Sequence, residues 1–516
     1  MKTHQVQQKT ERRISAALRL VFVAALLLGQ IALAFFLSTE LRQRAAIIYT
    51  VLELAAFGYA VRIYNRTDGA SYKFGWIFLV LTVPVVGLIL YFLWNGDRQQ
   101  KRLDLKKLPM PEEPEAQQAA HRIQMEKLRR KFPQWERLSV YLSRQGYLLY
   151  GDTETTYLPT GEAFLQDMLE KLEQAEHFIF MEFFIIAQGQ VWDRMEEIFR
   201  RKAAEGVEVK IIFDDFGSMM RFPAGQIEAL RESGVEVQIF NPVHHYVNRL
   251  YFNYRDHRKI VCIDGSTAYT GGANVADEYA NLTVRFGYWK DCGIRLDGPG
   301  AWGLTREFLH MWQRNGGQLM QERDYYRPHD HREAAGFCQP FVDGPDNNPI
   351  STAEDVFLHL INARRSVHIT TPYLAIDEPM RQALCSAGDS GVDVRLLLPG
   401  IPDHKFAYLA AQSHYGELLV HRVKIYIYEP GLLHGKTVLS DGEAAFVGSV
   451  NMDYRSFQLH FECGTVLYGV PAIEGLAEDI QRITDCSRRV TYQEWKSRPW
   501  YRKLLSTLLR LFEMWM

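Results

Sequence analysis

Residues 257–274 read HRKIVCIDGSTAYTGGAN, and residues 434–451 read HGKTVLSDGEAAFVGSVN. Both follow one spacing: His, any residue, Lys, four residues, Asp, six residues, Gly, Gly or Ser, any residue, Asn. The first stretch supplies His257, Lys259, Asp264, Gly271, Gly272 and Asn274; the second supplies His434, Lys436, Asp441, Gly448, Ser449 and Asn451. His and Lys two apart on a strand point to the same face. The apolar residues that follow, Ile260 to Ile263 and Thr437 to Leu439, continue that strand into a core. Asp264-Gly265 and Asp441-Gly442 predict two-residue hairpins. A return strand then brings the Gly and Asn residues back beside His and Lys, where small residues permit close backbone approach to a ligand. An imidazole, an ammonium and an amide thus converge, twice.

This set suits a phosphodiester. An ammonium anchors phosphate. A neutral imidazole is a nucleophile, and an imidazolium is a general acid. Two imidazoles facing each other across a lobe interface can do both jobs. The lysines supply the charge stabilisation a metal would give, so neither a metal nor a cofactor is expected. Asp264 and Asp441 have two readings, catalytic carboxylate or turn residue. Each histidine needs a carboxylate on its second nitrogen. Asp291 in GYWKDCGIRLDGP and Glu462 in HFECGTVL each follow a motif near the start of a strand-like run. Each is an orienter or a solvated charge. Glu182 in FMEFFII is a charge in an apolar strand, either lining the site or paired in the core.

Outward from the motifs the chain repeats. AEHFIFMEFFII (175–186) has a counterpart in ARRSVHITTPYLAI (363–376), GVEVKIIFDDFGS (206–218) in GVDVRLLLPGIPD (391–403), and GVEVQIFNPV (234–243) in HRVKIYIYEPG (421–431). Similar blocks in one order at nearly one offset indicate duplication. Short Val/Ile/Phe runs alternate with helical patterns such as Thr160–Glu176 and Trp192–Glu205, which predicts an α/β fold of two similar lobes.

The first hundred residues differ. Leu20 to Leu37 and Phe74 to Leu93 carry no charge and are long enough to cross a hydrocarbon layer of about 30 Å. Ala45 to Val61 is a weaker span because it holds Glu53. Trp76, Tyr91 and Trp94 sit where an interfacial aromatic belt would fall. Lys2, Lys9, Arg12 and Arg13 favour a cytoplasmic start, and Arg98, Lys101, Arg102, Lys106 and Lys107 a cytoplasmic exit. Three crossings do not satisfy both, so one segment is re-entrant or interfacial, or one basic cluster is overridden. The expected domains are a membrane anchor with two or three hydrophobic helices (1–96), a polar linker (97–149) with a helix around Ala116–Lys131, two lobes (150–325 and 326–495), and an amphipathic C-terminal segment (496–516). That last segment combines Arg502, Lys503 and Arg510 with Leu505, Leu508, Leu509, Phe512 and Trp515. It either lies in a lipid interface or packs on the body.

Of 516 residues, 47% are hydrophobic and 23% charged, which excludes whole-chain disorder. The net charge of −2, with no obvious basic groove, argues against a nucleic-acid partner. The six cysteines form no CxxC pair, so neither a structural zinc site nor a disulfide framework is expected.

The paired motifs resemble the duplicated HKD signature of the phospholipase D superfamily, over residues 150–490. Within it the chain is similar to the bacterial cardiolipin synthases, through RIYNRTDGASYKFGWIFLVLTVPVVGLILYFLWNG (62–96) and NMDYRSF (451–457). The resemblance implies two phospholipase D-like α/β lobes behind a transmembrane anchor in a multi-pass protein of the bacterial cell membrane, its lobes facing the cytoplasm. It implies metal-free phosphatidyl transfer between two phosphatidylglycerol molecules, through a phosphohistidine, to give cardiolipin and glycerol. His257 would be the nucleophile and His434 the acid, then the base. Lys259, Lys436, Asn274 and Asn451 would hold the phosphate. Gly272 stands where the second motif has Ser449, so one potential hydroxyl donor is missing from the first half. Phosphatidylglycerol and anionic membrane lipid are the implied partners. A hydrolytic phospholipase D or another HKD phosphatidyltransferase is the rival.

Overall fold

The computed structural model describes residues 29, 42–66, 69–94, 115–242, 254–318, 325–326, 333–345 and 351–513. They fall into two compact units, one holding the helices between 42 and 94 and the other the remainder.

In the first unit, α1 (Arg42–Tyr64), α2 (Ala70–Thr82) and α3 (Pro84–Trp94) pack together. Ile47–Tyr64 is the one window among the described residues that is long and apolar enough to cross a membrane. The run Phe74–Leu93, expected to cross as one helix, is instead broken at Val83. Pro84 has no N–H to donate and its ring blocks the preceding turn, so the chain reverses there and α2 and α3 form a hairpin. Trp76 and Tyr91 meet edge to face at 5.4 Å. Both are buried, where a belt position was expected. Gly87 makes the reversal possible: a Cβ there would lie 2.5 Å from the Leu79 carbonyl oxygen. The Leu20–Leu37 span lies outside the described residues, Gly29 excepted, and so does the side chain of Trp94.

The second unit opens with α4 (Glu115–Lys131) and α5 (Glu136–Arg144). Its first lobe contains β1 (Glu154–Leu158), β2 (Phe178–Phe183), β3 (Glu208–Asp214), β4 (Glu236–Phe240), β5 (Arg255–Asp256), β6 (Lys259–Ile263), β7 (Thr267–Gly271), β8 (Tyr288–Lys290) and β9 (Gly293–Asp297). The helix α6 (Ala301–Arg314) follows and covers β2, β6, β7 and β10. The second lobe contains β10 (Phe337–Asp343), β11 (Ser366–Thr370), β12 (Leu374–Ala375), β13 (Asp393–Pro399), α7 (Lys405–Ala411), β14 (Lys424–Tyr428), β15 (Gly431–Leu433), β16 (Thr437–Ser440), β17 (Ala444–Gly448), β18 (Met452–Asp453), α8 (Tyr454–Gln458), β19 (His460–Tyr468) and β20 (Ser487–Val490). The chain ends in α9 (Trp500–Arg510).

The duplication is visible in the sheets. The first runs β1-β9-β7-β6-β2-β3-β4, and the second runs β10-β19-β17-β16-β11-β13-β14 with β20 added at its edge. In each, three parallel strands (β2, β3, β4; β11, β13, β14) form one half, and antiparallel hairpins carrying the motif form the other. Parallel strands buried on both faces are mostly apolar, and β2 and β3 are hydrophobic apart from Glu182 in the first and Glu208, Lys210 and Asp214 in the second. The two lobes exchange short pairings: β5 lies beside β19, and β15 beside β8.

Candidate active site

Each motif begins where one lobe touches the other. The backbone N–H of His257 donates to the Phe461 carbonyl at 2.8 Å, and that of His434 to the Lys290 carbonyl at 2.7 Å. The exchanged strands therefore fix both histidines at the lobe interface. Lys259 and Lys436 follow at the starts of β6 and β16, each with its ammonium on the carbonyl of its own histidine, Lys259 at 2.6 Å. The ammonium of Lys436 also lies 2.8 Å from Nδ1 and 3.1 Å from Nε2 of His434. All four side chains are buried.

The orienting carboxylates cross over. Nδ1 of His257 lies 2.9 Å from both oxygens of Glu462, 205 residues away in the second lobe. Nδ1 of His434 lies 2.6 Å from Asp291, in the first lobe. With an ionised carboxylate as acceptor, Nδ1 carries the proton and Nε2 is left with its lone pair. Glu462 also accepts from the hydroxyls of Ser449 and Ser456. Asp291 accepts from the Cys292 N–H at 2.9 Å.

The Gly272/Ser449 difference follows from carboxylate length. A Cβ at Gly272 would lie 2.2 Å from Oδ1 of Asp291. The shorter aspartate brings its oxygens onto the backbone and requires glycine. The longer glutamate leaves room for the hydroxyl of Ser449.

Asn274 accepts from the Ile185 N–H at 3.1 Å and donates to the Tyr279 hydroxyl at 2.8 Å. Asn451 keeps a buried carbonyl oxygen without a hydrogen-bond partner among the described residues. Rings wall each histidine: Phe184 and His460 beside His257, and Tyr279 and Trp289 beside His434. His460 is a third imidazole that the motif reading overlooks. It stands two residues before Glu462, so strand alternation puts it on the same face. Its Nε2 accepts from Arg455 at 3.2 Å, and burial pushes its pKa down to about 3. His257, His460 and Glu462 gather their ligand atoms within 4.8 Å of one another. The carboxylate is already engaged by His257 and two serines.

Two expectations need correction. Asp264 and Asp441, taken as catalytic candidates, do not enter the site. Asp264 caps three backbone N–H groups, of Glu176, His177 and Phe178, at 2.7–2.8 Å. Asp441 caps those of Arg364, Arg365 and Ser366 at 2.7–2.9 Å. Both sit at positive φ, 52° and 56°, in three-residue loops where two were expected. They lock the hairpin to the start of the first parallel strand. Alanine at either position is expected to cost about 1–2 kcal/mol of stability, since each partly exposed carboxylate holds several amides. Activity per folded molecule should stay within about twofold, as neither residue touches the reacting groups. A thermal melt set beside a rate on the same preparation checks this. The carboxyl of Asp441 is held below its usual range by those amides, working against partial burial. Its contribution is therefore present at neutral pH and lost as pH falls through its folded value.

Glu182 is the second case. It stands opposite Ile260, whereas Phe183 stands opposite Lys259, so its carboxyl lies on the sheet face away from the lysine. There it meets Arg258 at 3.7 Å. Burial, with Asp256 alongside, pushes its pKa well up. It is a core carboxylate.

The electrostatics suit an anion. Burial lowers both lysines to about 8. Burial, aided by Lys259 and Lys436, puts His257 well below the usual imidazole range. Burial and Lys436 also lower His434, but there Asp291 and Asp403 push back. The lysines are charged below about 8, so kcat/KM should fall as pH rises through that value. The neutral imidazole of His257 sets an acid limb below the usual imidazole range. A profile flat to about pH 10 would contradict this assignment.

A duplicated α/β lobe presenting paired His-x-Lys motifs at the lobe interface defines a phospholipase D-like protein. Comparison with known proteins narrows this. The model for cardiolipin synthase, PLD-like domain, matches residues 168–284 and 357–484, and that for the phospholipase D-nuclease N-terminal region matches 54–95. Cardiolipin synthase 2 of Bacillus anthracis is 33% identical over 89% of both chains. The major cardiolipin synthase of Bacillus subtilis is 30% identical over 87% of this chain and 94% of its own. An uncharacterised Streptococcus mutans protein is 36% identical over 84% of this chain and 95% of its own. Phosphatidylserine synthase of Haemophilus influenzae shares the fold, with a TM-score of 0.56 at 14% identity over 73% of this chain and all of that one. The chain belongs to the cardiolipin synthase family of the phospholipase D superfamily.

Proposed function

We propose that this protein joins two phosphatidylglycerol molecules into cardiolipin and glycerol. The observation that carries the reading is the pair of buried imidazoles, each tied through Nδ1 to a carboxylate of the opposite lobe and each beside a lysine. Nε2 of His257 attacks phosphorus of the first lipid. The P–O bond to its glycerol headgroup breaks, and protonated His434 gives its proton to that oxygen. Glycerol leaves, and the phosphatidyl group stays on His257. A primary hydroxyl of a second phosphatidylglycerol then surrenders its proton to His434 and attacks phosphorus, the P–N bond breaks, and cardiolipin departs. Two in-line displacements retain configuration at phosphorus. Lys259 and Lys436 offset the phosphate charge, with the amides of Asn274 and Asn451 alongside. His257 suits the nucleophile because it is kept the more firmly neutral. His434 suits the proton carrier because Asp291 offsets its lysine, and the incoming phosphodiester anion raises its proton affinity further.

The reading includes membrane placement. Basic residues at both ends of the anchor call for an even number of crossings. Leu20–Leu37 and Ile47–Tyr64 supply two. The α2–α3 hairpin, with helices of 13 and 11 residues, is too short to span about 30 Å in either arm. It enters and leaves on the cytoplasmic side, where the catalytic lobes then lie. Cysteines introduced at positions 68 and 97 should both react from the cytoplasmic side; labelling on opposite sides would contradict it.

The test of function is product analysis on purified protein supplied with phosphatidylglycerol alone in chelating buffer. Cardiolipin with equimolar glycerol supports the transferase. Phosphatidic acid as the main product means that water is the acceptor.

A further inference from the structure

The C-terminal helix α9 is amphipathic but turned outward. Trp500, Tyr501, Leu504, Leu505, Leu508 and Phe512 fall within one arc of roughly 140° at 3.6 residues per turn. All six are exposed, Trp500 at 75%. The less exposed side carries buried Ser506, whose hydroxyl donates to the Lys503 carbonyl at 2.9 Å, together with half-buried Lys503 and Leu509. Polar groups also pin the region. Glu513 meets His414 at 2.9 Å, and Arg498 bonds Gln412 at 2.7 Å. A helix pinned by polar groups with its apolar arc in solvent is the reverse of an ordinary packed helix.

α9 connects toward the active site through α7. α9 packs on α7, which exposes Phe406 at 66%. Two residues before α7 lies Asp403, close enough to bias the charge on His434 and Lys436. Ile401, which lies against Gly287 at the β8–β15 pairing leading into His434, exposes further apolar surface, as do Leu282 and Val284 in the loop before β8. Exposed Arg502 and Arg510 lie on α9 itself, and exposed Lys496 lies just before it. Apolar residues flanked by cations match the acyl–headgroup boundary of an anionic leaflet. A second copy of the chain seated here would instead wall off the rim at Phe406 and Ile401.

We infer that α9, with Phe406 and the apolar rim, is a docking face that sinks into an anionic leaflet and brings the mouth of the site to lipid level. This deepens the proposed function and rests on it. The test uses the full chain reconstituted in phosphatidylcholine vesicles. Wild type and the double variant Leu505→Glu, Leu508→Glu are each assayed on long-chain phosphatidylglycerol in the bilayer and on dihexanoyl phosphatidylglycerol added from solution. Bilayer turnover should fall ~10-fold or more in the variant, while the soluble lipid reacts at the wild-type rate. Brominated lipids should quench wild-type fluorescence more than that of Trp500→Phe. Equal bilayer rates, or equal quenching, would overturn the docking face. So would a wild-type dimer in detergent that the double variant splits into monomers. No cardiolipin from the soluble lipid with wild type would instead remove the proposed function.

Discussion

His257→Ala is expected to abolish cardiolipin formation, by about 10⁴-fold or more, because the proposed mechanism makes this residue the nucleophile that bonds to phosphorus. His434→Ala should lose a similar amount, since glycerol is a poor leaving group without a proton donor. The double variant should be little worse than either single, as groups acting in one sequence are not additive. Radiolabelled phosphatidylglycerol with an acid quench gives the sharper readout. Label trapped on His257 is expected. Label on His434 would exchange the two roles and leave the rest of the scheme standing.

Glu462→Gln should be nearly as damaging, with kcat falling by about 10³–10⁴-fold and little change in fold. The amide can present its NH₂ to Nδ1 of His257, which favours the tautomer with the proton on Nε2 and removes the attacking lone pair. The buried pair of Ser449 and Ser456 would hold the amide in place, so the melting temperature should change little while the rate collapses. Asp291→Asn is the matched change for His434. If Glu462→Gln kept more than about a tenth of wild-type activity, the carboxylate would be a packing partner rather than an orienter.

The two lobes and the four His and Lys positions were legible because strand alternation and Asp-Gly turns act over a few residues. The pairing of carboxylate to histidine was not. Asp291 and Glu462 stood out as charges near strand starts, but their partners lie 143 and 205 residues away. No local rule chooses between the histidine of the same lobe and that of the other. The roles of Asp264 and Asp441 were half legible: the turn was, but the three amides each collects belong to a strand start about 80 residues earlier in sequence. The break at Val83 carried its signal openly in Pro84, which hydropathy summed over a window does not register. His460 was reachable from Glu462 by alternation alone.

The crossed carboxylates make each half of the protein the guardian of the other. A lobe that has folded without its partner still displays a histidine and a lysine. It lacks the acid that would aim the imidazole, so it meets the surrounding phospholipid as an inert surface. Reactivity appears only when both halves have closed on each other. The docking of the two lobes is thus the safety catch of the catalyst.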